Sequence, residues 1–179
     1  VRAFADDGTV LGDKTSDACR IDLLPQAFSV LSSMPDEKRK ASALESAFNY
    51  LVDEENGIVK LFTPPFNEKT FRAGYVNDYP EGVRENGGQY THSAVWFAMS
   101  LFEAGKDELA KTVLNIINPA EKYALPIGEK IYKTEPYALC GDVYSREDIK
   151  GKGGWSLYTG SAGWFLQTVT KFLPFEVEK

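Results

Sequence analysis

The chain has 179 residues, 43% of them hydrophobic and 26% charged, with a formal net charge of -6. That is enough apolar material for one domain with a true core, which excludes a disordered chain. The negative balance excludes a nucleic-acid groove or an anionic membrane surface as the main partner, since either would repel it at long range, so any anion site has to be local.

Val1 to Asp7 lack the basic and apolar regions of a signal peptide, and no apolar stretch approaches the roughly 20 residues that span a bilayer. The chain opens on Val1-Arg2-Ala3-Phe4 with no initiator methionine, and we read it as a fragment whose upstream half belongs to a longer parent. Cys19 and Cys140 lie far apart and make neither a CxxC nor a Cys/His metal spacing. They read as reduced, buried thiols of a cytoplasmic protein.

In chain order, a short helix opens at Pro25 and buries Phe28 and Leu31, proline being acceptable in a first turn. From Asp36 to Val52 the apolar Leu44, Ala47, Phe48 and Leu51 recur at three- and four-residue steps, the pattern of an amphipathic helix. Asn56-Gly57 signals a turn, and Ile58 to Phe62 reads as a strand stopped by Pro64-Pro65, neither of which donates a ladder bond. Asn67 to Gly87 has no period and several aromatics; a structureless stretch of that length in a compact domain tends to be functional.

The segment Tyr90 to Ala104 is apolar nearly all round and predicts a buried inner helix. Asp107 caps the next, whose Leu109, Val113, Ile116 and Ile117 form one stripe, an outer helix. Ile127 to Asp142 is ambiguous, with a short helix placed after Pro136. The last helix, Gly160 to Leu173, carries Trp164, Phe165, Leu166, Val169 and Phe172 and is expected to be largely buried. An inner helix turned back into an outer one is the unit of a helical toroid. The reading is therefore an all-α fold with a few short strands, residues 1–179 forming a single domain.

Chemistry concentrates in two places. Gly151-Lys152-Gly153-Gly154 leads through Trp155 and Tyr158 into Thr159-Gly160-Ser161 at a helix start. Free N–H groups there, with glycine allowing close approach and a threonine hydroxyl alongside, make a small anion site. The competing reading leaves Thr159 as a plain N-cap and the glycines as a tight turn. His92, the single histidine, begins the inner helix. It can donate to a phosphate or a sugar hydroxyl, or it can be a core histidine with a satisfied hydrogen bond. Arg84 and Glu85 close the long loop as a sugar-holding pair or as a surface ion pair. Aromatics such as Phe71, Tyr75, Tyr79, Trp155 and Tyr158 suit the apolar faces of pyranose rings, although aromatics more often fill cores.

Several stretches together resemble glycoside hydrolase family 94, formerly glycosyltransferase family 36. They are Tyr79-Pro80-Glu81-Gly82-Val83-Arg84-Glu85-Asn86-Gly87-Gly88-Gln89-Tyr90-Thr91-His92, then Glu135-Pro136-Tyr137, Gly141-Asp142-Val143-Tyr144, Gly153-Gly154-Trp155 and Tyr158-Thr159-Gly160-Ser161-Ala162-Gly163-Trp164. Arg20-Ile21-Asp22 and Thr63-Pro64-Pro65-Phe66 extend the likeness over nearly the whole chain, and the wording is more similar to the 1,2-β-oligoglucan phosphorylase and cyclic β-1,2-glucan synthase branch than to cellobiose phosphorylase.

The resemblance implies the C-terminal portion of an (α/α)6 barrel that cleaves a β-glucosidic bond of a glucan with inorganic phosphate and inverts the anomeric centre to give α-glucose 1-phosphate. It implies that His92, Thr159 and the Gly160 backbone hold phosphate, while Tyr79 and Glu85 hold the sugar at the far side of the cleaved bond; Arg84 and Gln89 join them as substrate-binding candidates. No metal or cofactor is implied, phosphate being a co-substrate. The partners expected are a β-glucan oligosaccharide, the N-terminal part of the parent and a second copy of the parent, with the parent cytoplasmic or tethered to a bacterial inner membrane. An inverting hydrolase needs one carboxyl to protonate the leaving oxygen and another to activate water; phosphate is already an anionic nucleophile, so well-aimed donors replace the base.

The sequence departs from the family in one respect: its general acid, an aspartate in a Trp-Asn-Asp-Gly type motif, is not found in this chain. Little turnover is expected from the segment by itself. A non-catalytic glucan-binding or assembly module on the same scaffold is the alternative, and a hydrolase using water is a third reading.

Overall fold

The computed structural model describes residues 2–124 and 128–173. Two short strands, β1 (Ala3–Phe4) and β2 (Val10–Leu11), pair antiparallel at the start. The strand β3 (Ile21–Asp22) runs straight into α1 (Leu23–Leu31). That helix starts two residues before Pro25, because the Asp22 carboxylate caps it by accepting the Leu24 N–H at 2.8 Å. Its buried side is also not the expected one: Leu23 and Ala27 point inward, while Phe28 is 42% exposed.

Helix α2 (Glu37–Leu51) follows the predicted span, with Asp36 capping the Arg39 N–H and Leu44, Ala47 and Leu51 buried. Burying each of its two leucines contributes roughly 2 kcal/mol. The predicted strand Ile58 to Phe62 divides in two. The strand β4 (Val52–Asp53) pairs with β5 (Ile58–Val59) as a hairpin, whereas β6 (Phe62–Thr63) pairs back to β3. Lys60 and Leu61 form the break, their N–H groups donating to Leu51 and Gly88 carbonyls in place of a continuous ladder.

The strand β7 (Gln89–Tyr90) leads into α3 (Thr91–Glu103), the central helix, with Ala94, Val95, Phe97, Ala98 and Leu101 fully buried. The helix packs on α1 on one side and ends at Gly105 (φ +68), where Gly105 N–H donates to Phe102 and Lys106 N–H to Leu101. This pair of hydrogen bonds satisfies two otherwise orphaned carbonyls. Helix α4 (Asp107–Ile117) returns along α3 as an outer helix. Its N-cap is Lys106, with Asp107 one position inside as a first-turn acid favoured by the helix dipole. Ala110, Val113, Leu114 and Ile117 are its buried stripe, with Leu109 and Ile116 partly buried beside them.

Two short helices, α5 (Pro119–Ala124) and α6 (Gly128–Tyr132), follow. The short helix of this region therefore precedes Pro136 instead of following it, and residues 134–139 form an irregular turn. Ile127 lies outside the described residues. The strand β8 (Asp142–Val143) pairs with β7, and α7 (Thr159–Phe172) packs against α3. The expectation that this last helix is largely buried is wrong: only Ser161 and Thr168 are buried, and Leu166 is 62% exposed. One side meets α3 through the stacked Phe102 and Phe172 rings, centroids 4.9 Å apart, and the other side has no covering element among the described residues. The domain is helical with short two-stranded ribbons, and Cys19 and Cys140 are free and buried.

Candidate active site

The site is built where β7 and β8 meet. Their register sets Gln89 against Val143 and Tyr90 against Asp142. One step on, the Thr91 N–H donates to the Gly141 carbonyl at 3.0 Å, which lays the segment after α6 across the start of α3. The glycine run then folds back along β8: Gly153 bridges Val143, and the Gly154 N–H donates to the Asp142 carbonyl at 2.9 Å. A side chain at 154 would collide with the Asp142 carboxylate, the added carbon falling 2.5 Å from Oδ2. This packing delivers Trp155, Tyr158 and the start of α7 beside the start of α3.

The two helix starts touch. A carbon added at Gly160 would lie 3.3 Å from His92 Cε1 and 3.4 Å from Nδ1, so the imidazole rests on the Gly160 backbone. His92 is held on its other sides by Trp96, with ring centroids 4.3 Å apart, and by Trp164 at 6.4 Å. Its Nε2 is buried and has no hydrogen-bond partner among the described residues, contrary to the reading of a satisfied core histidine. Burial pushes its pKa below the ordinary histidine value, which favours the neutral ring. Tyr158, not Thr159, is the N-cap of α7, and no side chain caps that terminus. Thr159 and Gly160 are exposed first-turn residues, and the neighbouring Ser161 Oγ is buried without a partner among the described residues. The uncapped helix start packs against the Cε1–Nδ1 edge of the imidazole, and its free N–H groups are donors for an anion.

The long loop supplies the second half. It contains a single-turn 3-10 helix, Gly74–Asp78, and one side chain ties its two ends together. The buried Asn86 amide accepts the Phe66 N–H at 2.8 Å and donates to the Phe66 and Tyr79 carbonyls at 2.9 and 2.8 Å. Next to it Arg84 takes a left-handed backbone conformation (φ +49). Its guanidinium sits 4.7 Å from the Trp155 ring centroid and 5.5 Å from that of Tyr79, a cation held between two aromatic rings. The Glu85 carboxylate stands 3.7 Å from Arg84 Nε, beyond hydrogen-bond distance, and both atoms are buried without a hydrogen-bond partner among the described residues. Trp155 stacks on Tyr158 with centroids 5.8 Å apart and planes at 9°, so the aromatic row links Arg84 to the residue that starts α7.

The structure thus brings together His92 with Gly160, and Tyr79 with Arg84 and Glu85, around Trp155 and Tyr158. Gln89 stands apart. It is 1% exposed, its Oε1 accepts the Val59 N–H and its Nε2 donates to Thr91 Oγ1, so both ends of the amide are occupied inside the protein. Asp142 has no assigned role in the sequence reading, yet it is buried at the centre of this region. The signal that could have exposed it is the Gly153-Gly154 pair, which makes room for its carboxylate. Burial raises its pKa, opposed by the Trp155 N–H and the Arg84 charge. Among the described residues no group of three or more His, Cys, Asp or Glu side chains could hold a metal ion. No helix among them is long and apolar enough to cross a membrane.

Comparison with known proteins identifies the family. The model of the glycosyl hydrolase 94 superfamily catalytic domain matches residues 1–173. The chain is 40% identical over 166 residues to the cyclic beta-(1,2)-glucan synthase NdvB of Rhizobium meliloti, covering 93% of this chain and 6% of that protein. It is 31% identical to the cellobionic acid phosphorylase of Neurospora crassa (96% of this chain, 22% of that protein). With the N,N'-diacetylchitobiose phosphorylase of Vibrio furnissii the identity is 23% (97% of this chain, 21% of that protein). The chain therefore spans about a fifth or less of these relatives. With nearly its whole length matched, the chain belongs to the glycosyl hydrolase 94 superfamily.

Proposed function

We propose that the chain is the C-terminal part of an (α/α)6-barrel catalytic domain that phosphorolyses β-glucosidic bonds of glucans, yielding α-glucose 1-phosphate. The observation that carries this reading is the contact of the His92 imidazole with Gly160 at the uncapped start of α7. In this reading His92, the Thr159 hydroxyl and the first N–H groups of α7 hold phosphate. A phosphate oxygen attacks the anomeric carbon from the face opposite the leaving sugar, the C–O bond breaks, and a general acid from another part of the parent protein protonates the departing oxygen. Attack from the far face turns a β-linkage into an α-phosphate. Because phosphate brings its own charge and nucleophile, the donors only have to place it in line.

Tyr79, Arg84 and Glu85 hold the leaving sugar, with Glu85 accepting from its hydroxyls and Arg84 orienting that carboxylate. Gln89 contributes from behind by fixing the strand that enters α3. The reaction needs no metal in this scheme, and we place it on the cytoplasmic side. The name of the relative at 40% identity favours a second setting, a segment of a β-(1,2)-glucan synthase, in which the same grip acts on a chain being built. The deciding experiment uses the full-length protein with β-1,2- and β-1,4-linked glucose oligomers and phosphate. The reading expects α-glucose 1-phosphate, with a rise of about tenfold or more in the phosphate KM for His92→Ala and Thr159→Ala. An unchanged phosphate KM in both variants, or glucose as the only sugar product, overturns it.

A further inference from the structure

Asp142 occupies the joint between the two ends of the site. It is only 4% exposed, and across the β7–β8 ribbon it faces Tyr90, two residues before His92. Its Oδ1 accepts the Trp155 N–H at 3.0 Å. Its Oδ2 is buried without a hydrogen-bond partner among the described residues, in space kept open by the missing side chain at Gly154. Burying a carboxylate with one oxygen unpaired opposes folding, and a turn made only for compactness has no need of it.

What the carboxylate fixes is Trp155. That residue is pinned at its N–H by Asp142 and at its carbonyl by the Gly141 N–H, and its ring carries the Arg84 guanidinium. Arg84 forms an ion pair with Glu85 at 3.7 Å while its guanidinium lies over the Tyr79 and Trp155 rings. If the Trp155 ring shifts, Arg84 loses its seat and no longer orients the Glu85 carboxylate toward sugar hydroxyls. We infer that Asp142 is a positioning residue for the sugar end, acting through Trp155 to hold Arg84 in its place beside Glu85. The inference rests on the reading of Tyr79, Arg84 and Glu85 as the sugar-holding group.

The test uses the full-length protein and two readouts, phosphorolysis kinetics and binding of a β-1,2-linked glucose disaccharide followed by tryptophan fluorescence in the absence of phosphate. Asp142→Ala is expected to weaken disaccharide binding and raise the sugar KM about tenfold, with the phosphate KM changing less than about twofold. Asp142→Asn keeps an acceptor for the Trp155 N–H and is expected to stay within about threefold of wild type. In an Arg84→Ala background, Asp142→Ala should add less than about a twofold further loss, because both changes break the same chain of contacts. Equal defects for sugar and phosphate, full additivity of the two substitutions, or an Asn variant as impaired as the Ala variant overturns the inference. If Asp142→Ala fails to fold, Asp142→Leu, which fills the same space without an acceptor, carries the same comparison alone and in the Arg84→Ala background. Disaccharide binding that follows this pattern without phosphorolysis overturns the phosphorolysis reading only; absence of disaccharide binding by the wild type overturns both.

Discussion

The His92 ring lies so close to the Gly160 backbone that a methyl group added there would sit 3.3 Å from Cε1. This contact fixes the distance between two helix starts, and it makes Gly160→Ala a graded probe of the anion end. The methyl pushes the imidazole back by a few tenths of an ångström, into Trp96 and Trp164. We expect the phosphate KM of the full-length protein to rise about tenfold while its thermal midpoint changes little. A variant with wild-type phosphate dependence would show that the contact has no part in anion binding.

The pH behaviour of His92, the single histidine of this chain, is a second test, its imidazole signal in the full-length protein being the one lost in His92→Gln. Burial depresses its pKa, so its contribution to stability is present above the ordinary histidine value and is lost as pH falls below it. An NMR titration of the full-length protein should find a midpoint below that ordinary value, and inorganic phosphate should move it upward by adding negative charge beside the ring. A midpoint indifferent to phosphate would remove His92 from the anion site.

Asn86 controls the loop that carries the sugar end. Its amide makes three hydrogen bonds, two buried ones to Phe66 and a partly buried one to Tyr79. Asn86→Ala leaves those backbone groups unpaired and should cost about 2–4 kcal/mol. Limited proteolysis should then cut between residues 67 and 85 well before it cuts the helices, and the sugar KM should rise more than the phosphate KM. Loop cleavage at the wild-type rate would count against the clamp.

Asp142→Asn tests the cost of a buried charge. The folded-state pKa of Asp142 is raised, so its contribution favours folding at low pH and is lost as pH rises through the folded value. The uncharged amide should therefore melt at a higher temperature than wild type near about pH 7 and lose that advantage near about pH 4. Thermal melts at the two pH values decide it; an Asn variant less stable at both would mean that the attraction of Arg84 outweighs desolvation.

Gln89→Leu separates scaffold from sugar contact. It orphans the Val59 N–H and should destabilise by about 1–3 kcal/mol. Disaccharide binding should weaken less than in Arg84→Ala, and the reverse order would return Gln89 to the sugar-contacting set.

Periodicity made the central part of the fold legible. The apolar run of Ala94 to Leu101 and the stripe on α4 state their burial directly, and Gly105 marks the turn between them. The strand between Ile58 and Phe62 was not resolvable into two, because its division depends on partners at Asp53 and Asp22. The burial of α7 was misjudged because Leu166 and Phe165 say only that a surface is apolar, not that something covers it. At the site, His92, Thr159 and Gly160 stood out through a lone histidine and a glycine-rich helix start. That the Gln89 amide and the Asp142 carboxylate are tied to backbone N–H groups was not legible, since those partners lie 30 and 13 positions away.

The proposed anion grip is mounted on α3, the most enclosed element of the domain, whereas the proposed sugar grip hangs from a loop closed by one amide. On that proposal, evolution can revise the loop without disturbing the hold on phosphate. A lineage built on this plan is free to diversify its carbohydrate partners while keeping a common way of breaking the bond, and relatives named for chitobiose, cellobionic acid and cyclic glucan are the kind of spread such a division allows.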